Sequence, residues 1–125
     1  MPFAIWSILI AGLLPLVALL PGKMSKSFDN SDPRNPEYWS EPFRRRAQSA
    51  HYNSLEAFPF FAVAVFVALG QGGDPEWINS LCGLFLSMRV LYIACFWLNR
   101  ASLRSLTWTV GFACTIAIFT TPVWT

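Results

Sequence analysis

Four long apolar stretches, separated by polar connections, dominate the sequence. Each is about as long as a helix must be to cross a hydrocarbon core of about 30 Å. None shows the alternation typical of a barrel strand, and only helices or closed barrels satisfy the backbone in lipid. The pattern predicts an all-α, integral membrane four-helix bundle that forms one domain over residues 1–125. Its spans lie at about residues 3–20, 47–69, 77–98 and 106–124.

The composition fits a chain that lies mostly in lipid. Hydrophobic residues make up 54% of the 125 residues and charged residues only 13%, whereas about a quarter of a soluble domain is charged. A net charge of +2 gives no argument for nucleic-acid binding. The first stretch lacks the basic n-region of a secretory signal, so we expect a retained span that Pro15 kinks without ending.

The cations are distributed unevenly among the connections. The second connection has no cation and contains Asp74 and Glu76, whereas the third begins with Arg100 and Arg104. The remaining basic residues near the first connection are Lys23, Lys26, Arg34, Arg44, Arg45 and Arg46. The positive-inside rule therefore places the first and third connections in the cytoplasm and both termini outside.

Cysteine and histidine give no metal motif. Cys82, Cys95 and Cys114 all lie within the spans, at spacings that match no metal site, so we expect them to be packing residues. His51 is the single histidine and has no second ligand at a suitable spacing. We expect it to serve in packing or at a subunit contact, and we expect no metal.

The second span begins with a polar stripe. At about 100° per residue, Arg46, Ser49 and Glu56 all project within about 60° of Asn53, whereas His51 points to the opposite side. Polar side chains at membrane depth are costly and often mark a site. They also serve as hydrogen-bonding contacts between helices, and both interpretations remain open for Glu56.

The third span contains a cation that needs a partner. Arg89, Tyr92 and Phe96 share one face at helical spacing. Arginine does not lose its charge, and Glu56 is the one acid inside the spans. We therefore predict an ion pair between Glu56 and Arg89 that joins spans two and three.

A basic crevice is expected at the cytoplasmic ends of spans two and four. Arg104, Ser105 and Trp108 lie within about one helical turn, and the arginines of residues 44–46 start span two. Such a crevice suits a small anionic molecule that takes bidentate arginine contacts. Alternatively, the arginines only anchor helix ends at lipid headgroups.

These motifs resemble the MAPEG superfamily, the membrane-associated proteins in eicosanoid and glutathione metabolism, and bacterial members in particular. The resemblance covers about the last hundred residues, in order. Its most specific part is the Asn-x-x-Glu-x-x-Pro core. The matching segments are the block from Ala50 to Phe61, Arg89-Val90-Leu91-Tyr92, Leu103 to Trp108, and the connection from Phe28 to Arg34.

The resemblance implies a homotrimer that binds glutathione between subunits near the cytoplasmic side. Family members include microsomal glutathione transferases, glutathione peroxidases and prostaglandin or leukotriene synthases. By position, Asn53 and Glu56 match residues that hold the glutathione peptide, and Arg104 and Ser105 match the arginine and serine near the thiol, which we take as catalytic. The full set expected to bind the cofactor is Arg46, Asn53, Glu56, Arg89, Tyr92 and Trp108.

The chain also departs from the family pattern. Its first span lacks the arginine of the eicosanoid enzymes, and Ser49 stands where they have a basic residue, for which Arg46 one turn earlier could partly substitute. Tyr52 replaces another arginine. Phe96 and Trp108 occupy positions where relatives that bind glutathione have tyrosines. An eicosanoid substrate is therefore not supported.

Three functions remain open at this point. The first is a transferase or peroxidase in the bacterial inner membrane that uses glutathione, or another small thiol, on lipophilic electrophiles or lipid hydroperoxides. The second is a binding or scaffold protein that keeps the bundle without the chemistry. The third is a small transporter, although four spans without an inverted repeat argue against it. The sequence does not name the acceptor or the thiol, and the connection from Pro33 to Pro42 could be an ordered lid or a flexible loop.

Overall fold

Four long helices form an antiparallel bundle in the computed structural model, which describes all 125 residues. All four are long and apolar enough to cross a membrane, and α1 continues through Pro15. The predicted all-α membrane bundle is confirmed. The helices are α1 (Phe3–Lys23), α2 (Pro42–Gly70), α3 (Pro75–Trp97) and α4 (Ala101–Trp124), and a 3₁₀ turn (Tyr38–Ser40) lies in the first connection.

Two helices begin earlier than the predicted spans. α2 starts at Pro42 rather than near residue 47, and α4 starts at Ala101 rather than near residue 106. Hydropathy marks the part of a helix that lies in lipid, whereas capping groups mark its end. The Glu41 carboxylate accepts hydrogen bonds from the backbone N–H groups of Arg44, at 3.1 Å, and Phe43, at 3.2 Å. These two bonds hold the pKa of Glu41 below its ordinary value.

The two short turns have clear backbone signatures. After α3, Asn99 adopts φ 57° and the N–H of Arg100 donates to the Cys95 carbonyl at 2.8 Å. Asparagine is one of the few residues that tolerate this left-handed conformation at a helix end. Before α3, the Asp74 carboxylate accepts from the N–H of Glu76 at 2.9 Å and caps the helix.

The core depends on close helix approach and one aromatic stack. Phe61 and Phe85 stack with ring centroids 4.0 Å apart. Cys82, Cys95 and Cys114 are free and buried, consistent with the packing role expected for them. Small residues let helices approach closely in membranes. The buried alanines of α1 and α2 are Ala4, Ala11, Ala18, Ala47, Ala50, Ala64 and Ala68.

Hydrogen bonds define the two ends of the bundle. The N–H of Ala4 donates to the Asn79 side chain at 3.0 Å, and the N–H of Asp74 donates to the Thr125 hydroxyl at 3.1 Å. The start of α1, the second connection and the C-terminus therefore share one end. The first and third connections lie at the other end, where most of the cations are found.

The first connection, residues 24–41, folds into an ordered layer that we call the cap. The indole of Trp39 is buried and donates to the Pro33 carbonyl at 2.9 Å. The hydroxyl of Tyr38 donates to the carbonyl of Gly22 at the end of α1. A Cβ at Gly22 would lie 2.7 Å from the Trp39 ring, so glycine permits this close approach. Of the two alternatives from the sequence, the structure has the ordered layer.

Candidate functional site

Arg89 is buried at the centre of the bundle and is held by neutral groups. Its side chain is only 3% exposed. Its Nη2 donates to Asn53 Oδ1 at 2.8 Å and to Ser54 Oγ at 3.4 Å. The guanidinium also lies 4.3 Å from the centroid of the Tyr92 ring, a favourable cation–π distance. α3 and α2 are thus joined by a charge-assisted hydrogen bond.

The predicted ion pair between Glu56 and Arg89 is wrong. The one salt bridge in the structure joins Glu41 and Arg44, at 3.8 Å. Asn53 lies one turn before Glu56 and takes the guanidinium instead. The Glu56 side chain is exposed and makes no hydrogen bond within the chain. The projection of α2 from the sequence placed Asn53 and Glu56 on one stripe, but it did not determine which of the two faces Arg89.

A cavity of about 160 Å³ opens beside Arg89, between α2, α3 and α4. Asn53, Glu56 and Arg89 are in its polar lining, together with Thr115. Its aromatic lining comes from Phe85 and from Phe60, Trp108 and Phe112, which we call the aromatic wall. The cavity therefore combines a fixed cation, a free carboxylate and an apolar wall, which are the elements of a small-molecule site.

The aromatic wall is itself packed. Trp108 and Phe112 stack with centroids 5.1 Å apart and an interplanar angle of 7°. Phe60 packs against Phe112 at 5.8 Å and 59°. These two contacts join the three rings into one continuous apolar surface.

A chain of contacts runs from the cavity towards the cap end of the bundle. Tyr92 packs edge-on against Phe96 with centroids 5.2 Å apart. The Arg104 guanidinium lies 4.4 Å from the centroid of the Phe96 ring. The Arg46 Nε donates to the Phe96 carbonyl at 3.0 Å and thereby ties α2 to the end of α3. Arg89 packs against Tyr92 at the other end of this series of contacts and lines the cavity.

The expected residues are brought together only in part. Asn53, Glu56, Arg89 and Trp108 line the cavity. The other members, Arg46, Tyr92 and Arg104, belong to the adjoining contact chain. Ser105 neither lines the cavity nor belongs to the contact chain. Its side chain is exposed, and its hydroxyl makes no hydrogen bond within the protein.

Sequence reasoning missed several residues that shape the site. Ser54 shares Arg89 with Asn53, and Phe60 and Phe112 form the aromatic wall. A Cβ at Gly111 would lie 3.9 Å from Arg89 Cδ, so this helix surface is close to the guanidinium stem. Phe60 and Phe112 each lie four residues after a predicted site residue, so helical spacing was the available signal.

His51 joins α1 to α2. Its Nδ1 lies 2.7 Å from the Pro15 carbonyl, which can only accept, so Nδ1 is the protonated nitrogen that donates. The ring does not line the cavity beside Arg89. This arrangement fits the packing role expected for His51.

Comparison with known proteins gives one match. The model of the MAPEG family matches residues 3–124 of the chain. No curated protein and no solved structure is similar enough to this chain to count as a match. The family match spans all four helices, including every residue of the cavity and of the contact chain.

Proposed function

Because the chain belongs to the MAPEG family, an integral membrane superfamily of glutathione and eicosanoid metabolism, we propose that it is a thiol-dependent transferase or peroxidase. Glutathione is the first thiol to consider, and another small thiol is the alternative. The acceptor is a lipophilic electrophile or a lipid hydroperoxide. One observation carries the proposal: the Arg104 guanidinium makes no hydrogen bond or ion pair within the chain and lies at the end of a contact chain that leads to an aromatic cavity.

The residues present fit such a thiol. Glutathione carries carboxylates, an ammonium and a thiol. The unpartnered Glu56 carboxylate suits the ammonium, and the guanidiniums of Arg46 and Arg104 suit anionic groups. The Asn53 amide still has its N–H donors free, because only its Oδ1 is used by Arg89.

We assign the activating role to Arg104. A guanidinium beside a thiol lowers the pKa of the thiol and favours the thiolate. Bound glutathione would supply that thiolate as the nucleophile. Ser105 follows directly, and its unpaired hydroxyl is available to donate to the same sulfur. Arg89 and Tyr92 keep Asn53 and Phe96 in place.

The aromatic wall is the proposed place of the acceptor. Phe60, Trp108 and Phe112 form an apolar surface that lines the same cavity as Asn53 and Glu56. Apolar walls exclude water from the reacting atoms and strengthen the electrostatic contacts there. An acceptor dissolved in the bilayer can reach this surface from the side.

We extend the proposal to the assembly and its location. We propose a homotrimer in the bacterial inner membrane, with the first and third connections in the cytoplasm. The unpaired Glu56 on an exposed face of α2 supports an assembly, because a carboxylate facing lipid is costly. The cations at the cap end of the bundle support the orientation.

The test compares two arginines about one helical turn apart, Arg100 at the start of α4 and Arg104 within it. Purified protein is titrated with reduced glutathione, and thiolate formation is followed by ultraviolet difference absorbance. We expect a thiolate signal at pH 7 in the wild type. It should fall to the few per cent of a free thiol in Arg104→Gln. Arg100→Gln should behave like the wild type, because Arg100 is exposed and its side chain makes no hydrogen bond or ion pair. Absence of binding to glutathione and to the bacterial alternative thiols would contradict the proposal.

A binding or scaffold protein is the second candidate. Phe96 and Trp108 lack the phenolic hydroxyls expected at these positions, and Ser105 lies outside the cavity lining. A cellular phenotype that survives Arg104→Ala combined with Asn53→Ala would favour this candidate over the enzyme.

A further inference from the structure

Two tryptophans pack against each other at the end of the bundle opposite the cap. Trp77, in the first turn of α3, and Trp124, in the last turn of α4, lie with ring centroids 5.2 Å apart and an interplanar angle of 75°. The Trp124 indole donates to the Thr120 hydroxyl at 3.1 Å, which orients that ring. Both tryptophans are about half exposed. The pair therefore forms an ordered aromatic surface where two membrane-spanning helices reach the interface.

A hollow of about 280 Å³ adjoins this pair, and we call it the α3 hollow. It is lined by Glu76, Trp77 and Ser80. The Glu76 side chain is exposed and makes no ion pair or hydrogen bond. The Trp77 indole N–H and the Ser80 hydroxyl likewise make no hydrogen bond within the chain. The α3 hollow thus offers a free carboxylate, two free hydrogen-bond donors and an indole ring.

The charge at this end of the molecule favours a cationic ligand. The lysines and arginines lie at the cap end, except for Arg89, which is buried within the bundle. Asp74, which caps α3, adds a second carboxylate next to Glu76. A glutamate in the first turn also suits the helix dipole, but the dipole explains neither the tryptophan pair nor the hollow. A cation in the α3 hollow gains attraction from the carboxylate and from the indole ring, the best aromatic partner for a cation.

The α3 hollow opens on a side of α3 that points to lipid. Trp77 and Ser80 share one face of the helix with Leu84 and Leu91, which are both exposed. At about 100° per residue, this face lies about 130° around the helix axis from the α3 residues that line the cavity beside Arg89. The proposed assembly uses the exposed face of α2 that borders that cavity. The face of α3 with the hollow is therefore left for the bilayer.

We propose that the α3 hollow binds a phospholipid whose headgroup ends in a primary ammonium, as in phosphatidylethanolamine. The ammonium lies against the Glu76 carboxylate and the Trp77 ring, and the phosphate accepts hydrogen bonds from the Trp77 indole N–H and the Ser80 hydroxyl. The acyl chains follow the exposed leucines of α3. A headgroup without an ammonium would leave Glu76 unpaired and would place a second negative charge beside it. The hollow shares no lining residue with the cavity beside Arg89, so the proposed thiol chemistry makes no use of it.

The test uses delipidated protein in detergent, titrated with phosphatidylethanolamine or with phosphatidylglycerol of the same acyl chains, and read by native mass spectrometry. We expect the wild type to bind phosphatidylethanolamine more tightly. Its affinity should fall about fivefold in Glu76→Gln, which keeps the shape of the side chain, and about threefold in Trp77→Leu. Phosphatidylglycerol binding should not weaken in Glu76→Gln, because that lipid has no ammonium for the carboxylate to pair with.

The matched control is Trp6→Leu, because Trp6 lies at the same end of the bundle and is about as exposed as Trp77 but does not line the hollow. A preference retained in this variant supports the site. An equal loss in Trp6→Leu and Trp77→Leu would mean that exposed tryptophans only anchor the protein in lipid, and it would overturn the proposal. An unchanged preference in Glu76→Gln would do the same. Displacement of the lipid by free phosphoethanolamine would show a site for a soluble molecule and would also overturn the proposal.

Discussion

Among single residues, Arg89 has the greatest influence on the site. A permanently charged group at the centre of a membrane bundle must find acceptors. It finds the Asn53 amide, the Ser54 hydroxyl and the face of Tyr92 rather than a carboxylate. Asn53 is in turn oriented for the cavity, and Glu56 is left free for a ligand.

A pair of substitutions in α2 tests this assignment. Asn53→Ala removes the main acceptor of a buried cation and should destabilise the protein by about 1.5 to 3 kcal/mol. Glu56→Gln should have little effect on stability, because Glu56 makes no ion pair with Arg89. Thermal denaturation in detergent measures both. If Glu56→Gln proved as destabilising as Asn53→Ala, the ion pair would exist after all.

The sequence predicted that Arg89 needs hydrogen-bond acceptors, but it did not predict which residue supplies them. Burial of an arginine in a span requires acceptors, and this could be predicted from one residue type. Whether Asn53 or Glu56 contacts Arg89 depends on the rotation of α2 against α3. The sequence of one helix does not determine that rotation. Ser105 shows the same limit: its place beside Arg104 in sequence did not bring it into the cavity lining.

At the scale of helices, the positions of the ends depend on capping rather than on hydropathy. The apolar stretches predicted four spans, and all four are present. They did not predict that α2 would begin at Pro42, because that end lies outside the apolar stretch and is fixed by Glu41. The extra turns of α2 carry Arg44 and Arg46 and so reach the cap and the end of α3.

The cap of α2 predicts a dependence of stability on pH. The pKa of Glu41 is lowered because its carboxylate accepts two backbone N–H groups. A lowered folded-state pKa stabilises the protein above the unfolded value, and this contribution is lost as the pH falls through the folded value. The melting temperature of wild type should exceed that of Glu41→Gln at pH 7. The gap should narrow as the pH falls below 4.5, the ordinary pKa of a glutamate side chain.

Glu37→Gln is the control for that experiment. Glu37 is exposed in the cap, and its carboxylate makes no hydrogen bond or ion pair. Its substitution should leave the melting curve unchanged at every pH. If the difference in melting temperature between wild type and Glu41→Gln stayed constant from pH 7 to acid, the carboxylate charge would have no part in capping α2.

At the scale of the whole molecule, the bundle separates two cavities. One lies between α2, α3 and α4 and has an aromatic wall; the other lies between α1, α2 and the cap and has a basic end. Hydropathy and charge predicted the bundle and the grouping of its connections at two ends. They could not predict the cavities or the folded cap, because both arise from contacts between residues far apart in sequence, such as Trp39 against Gly22.

Native mass spectrometry of the detergent-solubilised protein with reduced glutathione tests the central claim most directly, since it measures subunit number and bound thiol together. We predict a trimer that retains glutathione in the wild type and in Arg100→Gln and loses it in Arg104→Ala. A protein that retains no glutathione and no alternative thiol, or that retains glutathione equally well in Arg104→Ala, would contradict the proposed thiol site beside Phe96.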